Sequence, residues 1–120
     1  MKMIWNEYCR LLRAAGYSWQ GLRGAWQSEA AIRLEGLLLL LLTPVALLLP
    51  VSFPIKGLLI FSLLWVFVVE LLNSAVEAIV DRIGPDHHEL SGKAKDLGSA
   101  AVLVASIATA LLWLFVLLSL

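Results

Sequence analysis

Hydrophobic and polar positions fall into four blocks along the chain. In the first, Trp5, Tyr8, Leu12, Ala15, Trp19, Leu22 and Trp26 recur at alternating steps of three and four, while Asn6, Arg10, Arg13, Gln20, Arg23 and Gln27 fill the other faces. That spacing predicts an amphipathic helix over about residues 4–27. Its aromatic anchors and basic polar face predict that it lies along a membrane surface. Gly16, Tyr17 and Ser18 predict a break that divides it into two pieces. The second block carries no charge over residues 36–55, and its leucine run is followed by Pro44, Pro50 and Pro54. Pro44 can kink a helix, and Pro50 and Pro54 read as its end and a turn. The third block is apolar from Gly57 to Val69, then keeps an apolar helical pattern through Glu70, Glu77 and Asp81 until Gly84 and Pro85 stop it. The fourth is charge-free over residues 97–120. About 20 apolar residues cross a hydrocarbon core of roughly 30 Å. The pattern therefore predicts an all-α membrane protein with an interfacial helix and three transmembrane helices, at 30–49, 57–83 and 96–120. A polar loop at 84–95 joins the last two.

Composition narrows the class further. Hydrophobic residues make up 61% of the 120 positions and charged residues 15%, against about 45–50% and about 25% in soluble domains. The length allows a single membrane domain, 1–120. Nine basic and nine acidic residues cancel, which argues against a nucleic-acid partner. Cys9 stands alone, so no disulfide forms within the chain. The first helix has no apolar h-region and no small-residue cleavage site, so it is not a signal peptide. Lys2, Arg10, Arg13, Arg23 and Arg33 precede the first span, and Arg82, Lys93 and Lys95 lie between the second and third; only Lys56 lies on the other side. The positive-inside rule then places the N-terminus and the 84–95 loop in the cytoplasm and the C-terminus outside. Three thin spans enclose little volume, which predicts an oligomer.

Ionisable residues at membrane depth are costly, and they are functional candidates for that reason. Glu70, Asn73 and Glu77 stand at i, i+3 and i+7, with Ser74 and Asp81 nearby on the same helix face. Two turns separate the glutamates by roughly 10 Å of rise. That is too far for both to bind one metal ion, but it lets one hold a metal while the other handles a proton. The competing reading is a polar seam between helices. Glu29, with Arg33 four residues on and Glu35 beyond, reads equally as a surface ion pair or a metal ligand. In the loop, Asp86 and Glu89 have capping-box spacing and mark a helix start. His87 and His88 are adjacent and face different ways, so they are weak as a zinc pair and read as solvated. Lys93 and Lys95 suit phosphate or simply follow the charge rule. No P-loop, dinucleotide fingerprint or nucleophile elbow is present.

Three segments carry a resemblance. Ala14-Ala15-Gly16-Tyr17-Ser18-Trp19, Asn73-Ser74-Ala75-Val76-Glu77-Ala78-Ile79-Val80-Asp81-Arg82 and His88-Glu89-Leu90-Ser91-Gly92-Lys93-Ala94-Lys95-Asp96 resemble the bacterial integral-membrane diacylglycerol kinase family. Motif order and length agree from about Arg10 to the C-terminus. The resemblance implies a homotrimeric helix bundle in the bacterial inner membrane. It implies transfer of the γ-phosphoryl group of MgATP to the hydroxyl of diacylglycerol, giving phosphatidic acid in phospholipid recycling.

Carried over residue by residue, the resemblance makes Glu70 the general base and Asn73 its polar neighbour, and it assigns Mg2+ to Glu29 and Glu77. ATP contacts fall on Arg10, Tyr17, Glu29, Glu77, Asp86, His87, His88, Lys95 and Asp96. Lipid contacts fall on Arg10, on Ala14, Ala15, Gly16, Tyr17, Ser18 and Trp19, on Ala31, Ile32, Arg33, Leu34 and Glu35, and on Glu70 and Ser99. Leu34 stands where the family pattern has glutamine, Lys93 where it has arginine and His87 where it has an aromatic residue. Leu34 removes a hydrogen bond to lipid, and Lys93 keeps charge but loses bidentate geometry. The rival lipid within the family is undecaprenol, although the 14–19 segment looks more like the diacylglycerol branch. From other classes come a small proton-coupled transporter, which also uses embedded glutamate, and a purely structural subunit.

Overall fold

The computed structural model describes residues 1–120, all of it helix and short connections: α1 (Lys2–Ser28), α2 (Ala30–Leu48), α3 (Phe53–Ile83) and α4 (Glu89–Leu118). The backbone divides into two compact units, Met1–Ala30 and Ala31–Leu120.

The first unit is α1, which buries none of its residues. It is one continuous helix of 27 residues, so the break expected at Gly16, Tyr17 and Ser18 does not occur. A glycine costs a helix only about 1 kcal/mol relative to alanine. Ser18 also satisfies its own hydroxyl inside the helix, donating to the Ala14 carbonyl at 3.0 Å. Trp5, Tyr8, Leu12, Trp19, Leu22 and Trp26 are all exposed, and the Trp5 and Tyr8 rings lie 5.9 Å apart. Helix α1 ends at Glu29, whose backbone is extended (φ −114°, ψ 113°) and whose N–H closes the last turn on the Ala25 carbonyl at 2.8 Å.

The second unit holds three helices long and apolar enough to cross a membrane. Its main contact is the α3–α4 pair. At one end Ala46, Leu59 and Val116 form a buried cluster with Leu49, Val51, Ile55, Leu112 and Trp113 around it. Nearby, Ser62 ties the long helices together. Its Oγ accepts from Trp113 Nε1 at 3.2 Å and donates to the Leu59 carbonyl at 2.6 Å, while Thr109 Oγ1 donates to the Ser62 carbonyl at 3.2 Å. These bonds leave no buried hydroxyl unpaired at a depth where water is scarce. Most large apolar side chains of the unit still face outward, Leu40, Phe61, Leu103 and Phe115 among them, as expected where the surroundings are lipid or a neighbouring helix rather than water.

Several boundaries differ from those read off the sequence. Helix α3 starts at Phe53, ahead of the expected 57, because Pro54 occupies the first turn, where a missing N–H removes no bond. Pro54 therefore opens a helix instead of closing a turn. Lys56 reaches back from that turn to the Leu47 carbonyl at 2.6 Å, supplying a donor to the end of α2. Pro44 is accommodated inside α2. The polar loop shrinks from 84–95 to 84–88, because α4 is already helical at Glu89. The N-cap is His88 and not Asp86: His88 Nδ1 accepts from the Leu90 N–H at 3.0 Å. Asp86 is left in the loop, where its capping-box spacing to Glu89 goes unused. Helix α4 ends at Leu118, two residues short of the chain end.

Candidate active site

The polar stripe of α3 is built by helical spacing alone. Glu70, Asn73 and Glu77 follow one another up the same side of an unbroken helix. Glu70 is buried, with 7% of its surface exposed. Asn73 and Glu77 are half-buried. Asn73 Nδ2 donates to Glu77 Oε1 at 3.4 Å, a long bond that orients the carboxylate more than it holds it. The other end of the same carboxamide, Asn73 Oδ1, is buried and accepts no hydrogen bond.

The reason Asn73 sits there lies on α4. A methyl group added to Gly98 would overlap Asn73 Oδ1 and press on its Cγ. Only a residue without a side chain lets the carboxamide seat against the α4 backbone. Gly98 is thus part of the site, and the sequence alone did not reveal it. A glycine within a helical pattern is a weak signal until its facing partner is known. Ser99, its neighbour, is exposed on α4.

One turn beyond Glu77, Asp81 accepts from Lys95 Nζ at 2.8 Å. Both side chains remain largely open to solvent. Lys95 also lies within the electrostatic field of Glu77, so the stripe and this cation belong to one neighbourhood. Asp81 and Lys95 line a polar depression of about 200 Å³ together with Gly84, Pro85, Asp86, His87 and His88. His87, His88, Lys93 and Asp96 line an adjoining hollow of about 550 Å³ on the outer side of the α4 start. The expected nucleotide residues Asp86, His87, His88, Lys95 and Asp96 are therefore gathered at one end of the α3–α4 pair.

Glu35 takes a separate place. It lines an apolar groove of about 280 Å³ between α2 and the α3–α4 pair, with Leu38, Leu42, Leu63, Val66, Ser106, Thr109 and Trp113. Ile32 on the same helix is fully buried, whereas Ala31, Arg33 and Leu34 are exposed. On α1, Arg10 is exposed and pairs with Glu7 at 3.6 Å. Ala14, Ala15, Gly16, Tyr17, Ser18 and Trp19 are exposed too. Trp19, Leu22, Arg23, Trp26 and Gln27 line a surface hollow of about 450 Å³ along that helix.

Known proteins are similar to this chain over nearly its whole length. Residues 16–117 match the family described as prokaryotic diacylglycerol kinase. A diacylglycerol kinase of Escherichia coli is 54% identical over 112 residues, covering 93% of this chain and 92% of its own. That of Pseudomonas aeruginosa is 48% identical over 109 residues, 91% of this chain and 89% of its own. One from Helicobacter pylori is 42% identical over 104 residues, 87% and 81% respectively.

Proposed function

The chain belongs to the prokaryotic diacylglycerol kinase family, and from that premise we propose how its residues phosphorylate a lipid. The substrate is diacylglycerol, the phosphate donor ATP and the product phosphatidic acid. The observation that carries the reading is Glu70, a carboxylate buried on an apolar helix one turn from Asn73 and in line with Glu77.

Phosphoryl transfer asks a protein mainly for positioning and charge neutralisation. Diacylglycerol remains in the bilayer with its hydroxyl at the interface, and ATP arrives from the aqueous side. The stripe from Glu70 to Asp81 climbs from apolar surroundings to the exposed Asp81–Lys95 pair, so both substrates can meet along it. The hydroxyl oxygen of the lipid bonds to the γ-phosphorus as the bond from that phosphorus to the bridging oxygen of ADP breaks. Glu70 accepts the hydroxyl proton. Lys95 and Arg10 offset negative charge on the phosphates.

On this reading α3 supplies oxygen donors of the chemical kind that magnesium takes. Glu77 offers a hard carboxylate oxygen, and the buried Asn73 Oδ1 is an acceptor without a donor. Glu77 and Glu29 are the carboxylates that would hold Mg2+. When bound, the ion supplies charge neutralisation at the phosphates. Asn73 keeps the Glu77 carboxylate oriented by donating to Oε1. The apolar groove beneath Glu35 suits an acyl chain, with the carboxylate at its polar rim. Ala14 to Trp19 on α1, Ala31 to Glu35 on α2 and Ser99 on α4 make the remaining lipid contacts.

The proposed setting is the bacterial inner membrane, crossed three times, with the N-terminus cytoplasmic, the C-terminus periplasmic and α1 lying along the inner surface. The active assembly is a homotrimer. Purified chain reconstituted with diacylglycerol and γ-³²P-ATP should place label in phosphatidic acid. A parallel preparation containing both diacylglycerol and undecaprenol should label the former first. Label in undecaprenyl phosphate alone, or proton flux without ATP consumption, would replace this reading.

A further inference from the structure

Lys95 is the cation placed to meet phosphate, and in this structure its ammonium is already occupied by Asp81. We propose that Asp81 is a built-in substitute for a phosphate oxygen, holding Lys95 between turnovers and yielding it to the nucleotide. Asp81 thereby sets the affinity for MgATP as a positioning residue that does not touch substrate. The inference rests on the reading of Lys95 as a phosphate ligand.

Four observations support it. The two residues come from different helices and meet at 2.8 Å, the length of a charge-assisted bond. Their side chains are 46% and 68% exposed, and bridges so exposed are weak and open readily. The pair borders a polar depression of about 200 Å³ shared with Asp86, His87 and His88, so an incoming anion has room beside it. Glu77 adds a weaker attraction on the Lys95 ammonium than Asp81 does, so the cation stays in the field of the carboxylate stripe when the bridge opens.

The sign of the effect follows from charge. An ammonium in contact with a carboxylate has its charge largely cancelled. A phosphate oxygen seated on the same ammonium lies within about 6 Å of the Asp81 oxygen, one hydrogen bond to either side of nitrogen. Like charges at that distance repel. Asp81 therefore weakens nucleotide binding, and the repulsion favours opening of the bridge when ATP arrives. After transfer it can reform as the nucleotide departs, which favours release.

The test is steady-state kinetics of the full chain in diacylglycerol-containing vesicles, paired with binding of magnesium β,γ-methylene-ATP, a readout that needs no turnover. Asp81→Asn should lower both the KM for MgATP and the analogue Kd by about two- to fivefold, the range that an exposed bridge allows. The kcat should stay within about twofold, the margin of a surface change. Asp81→Ser should behave the same way, and Asp81→Glu should return wild-type values. In a Lys95→Met background, Asp81→Asn should leave analogue binding unchanged. An unchanged or raised KM in Asp81→Asn overturns the proposal while leaving Lys95 a phosphate ligand. An equal gain in the Lys95→Met background also overturns it, because the effect would then come from the general field. Should Lys95→Met alone leave analogue binding unaltered, the assignment of Lys95 itself fails.

Discussion

The proposed chemistry rests on a few side chains whose assigned roles divide by position along one helix. Glu70 is the only ionisable residue in the buried set, and a general base contributes about 10²–10⁴-fold to rate. Glu70→Gln should lower kcat by that factor while circular dichroism and thermal unfolding stay close to wild type. A near-normal kcat would remove it from proton transfer. Gly98 is the less obvious partner. Gly98→Ala should drive the Asn73 carboxamide out of its seat, and overpacking of this kind costs about 1–3 kcal/mol. The expected outcome is a lower melting temperature together with a higher magnesium concentration for half-maximal activity. A fall in stability without a change in magnesium dependence would mean that Gly98 serves packing alone. The carboxylate stripe was legible in the sequence because helical spacing is arithmetic. The Gly98 contact was not, since its meaning depends on which residue of another helix lies opposite.

Elements were legible where periodicity was long and obscure where a single residue decided a boundary. The apolar runs marked α2, α3 and α4, each long enough to span. The proline spacing suggests a turn at Pro54, whereas Pro54 opens α3, because proline is tolerated in a first turn. Gly16 suggests a break, yet α1 runs through it. The sequence presents His88 as a solvated loop residue, whereas it caps α4. The capping role yields its own expectation. His88→Ala should destabilise the start of α4 by about 0.5–2 kcal/mol, and His88→Asn should restore most of it. Amide hydrogen exchange at Leu90 reports the change directly, and equal protection in all three proteins would deny the cap any weight. Because His88 also borders the proposed phosphate depression, fraying there would be felt in nucleotide binding as well.

At the scale of the whole molecule, one chain leaves much of its apolar surface uncovered. Family membership explains the activity, and the proposed trimer gives that surface partners. The solubilised assembly should have the protein mass of three chains by sedimentation corrected for detergent, and a single-chain mass with full activity would exclude a trimer. The hydrophobic pattern predicts an oligomer and only the family resemblance implies three subunits; their mutual arrangement is not legible, since apolar faces toward lipid and toward another helix are written with the same residues. The hairpin tip joining α2 to α3 carries a last consequence. Its lone cation, Lys56, is engaged by the Leu47 carbonyl and lies 5.4 Å from the centroid of the Phe53 ring. An ammonium held this way keeps part of its solvation within the chain, so this corner gives up less where bulk water is scarce.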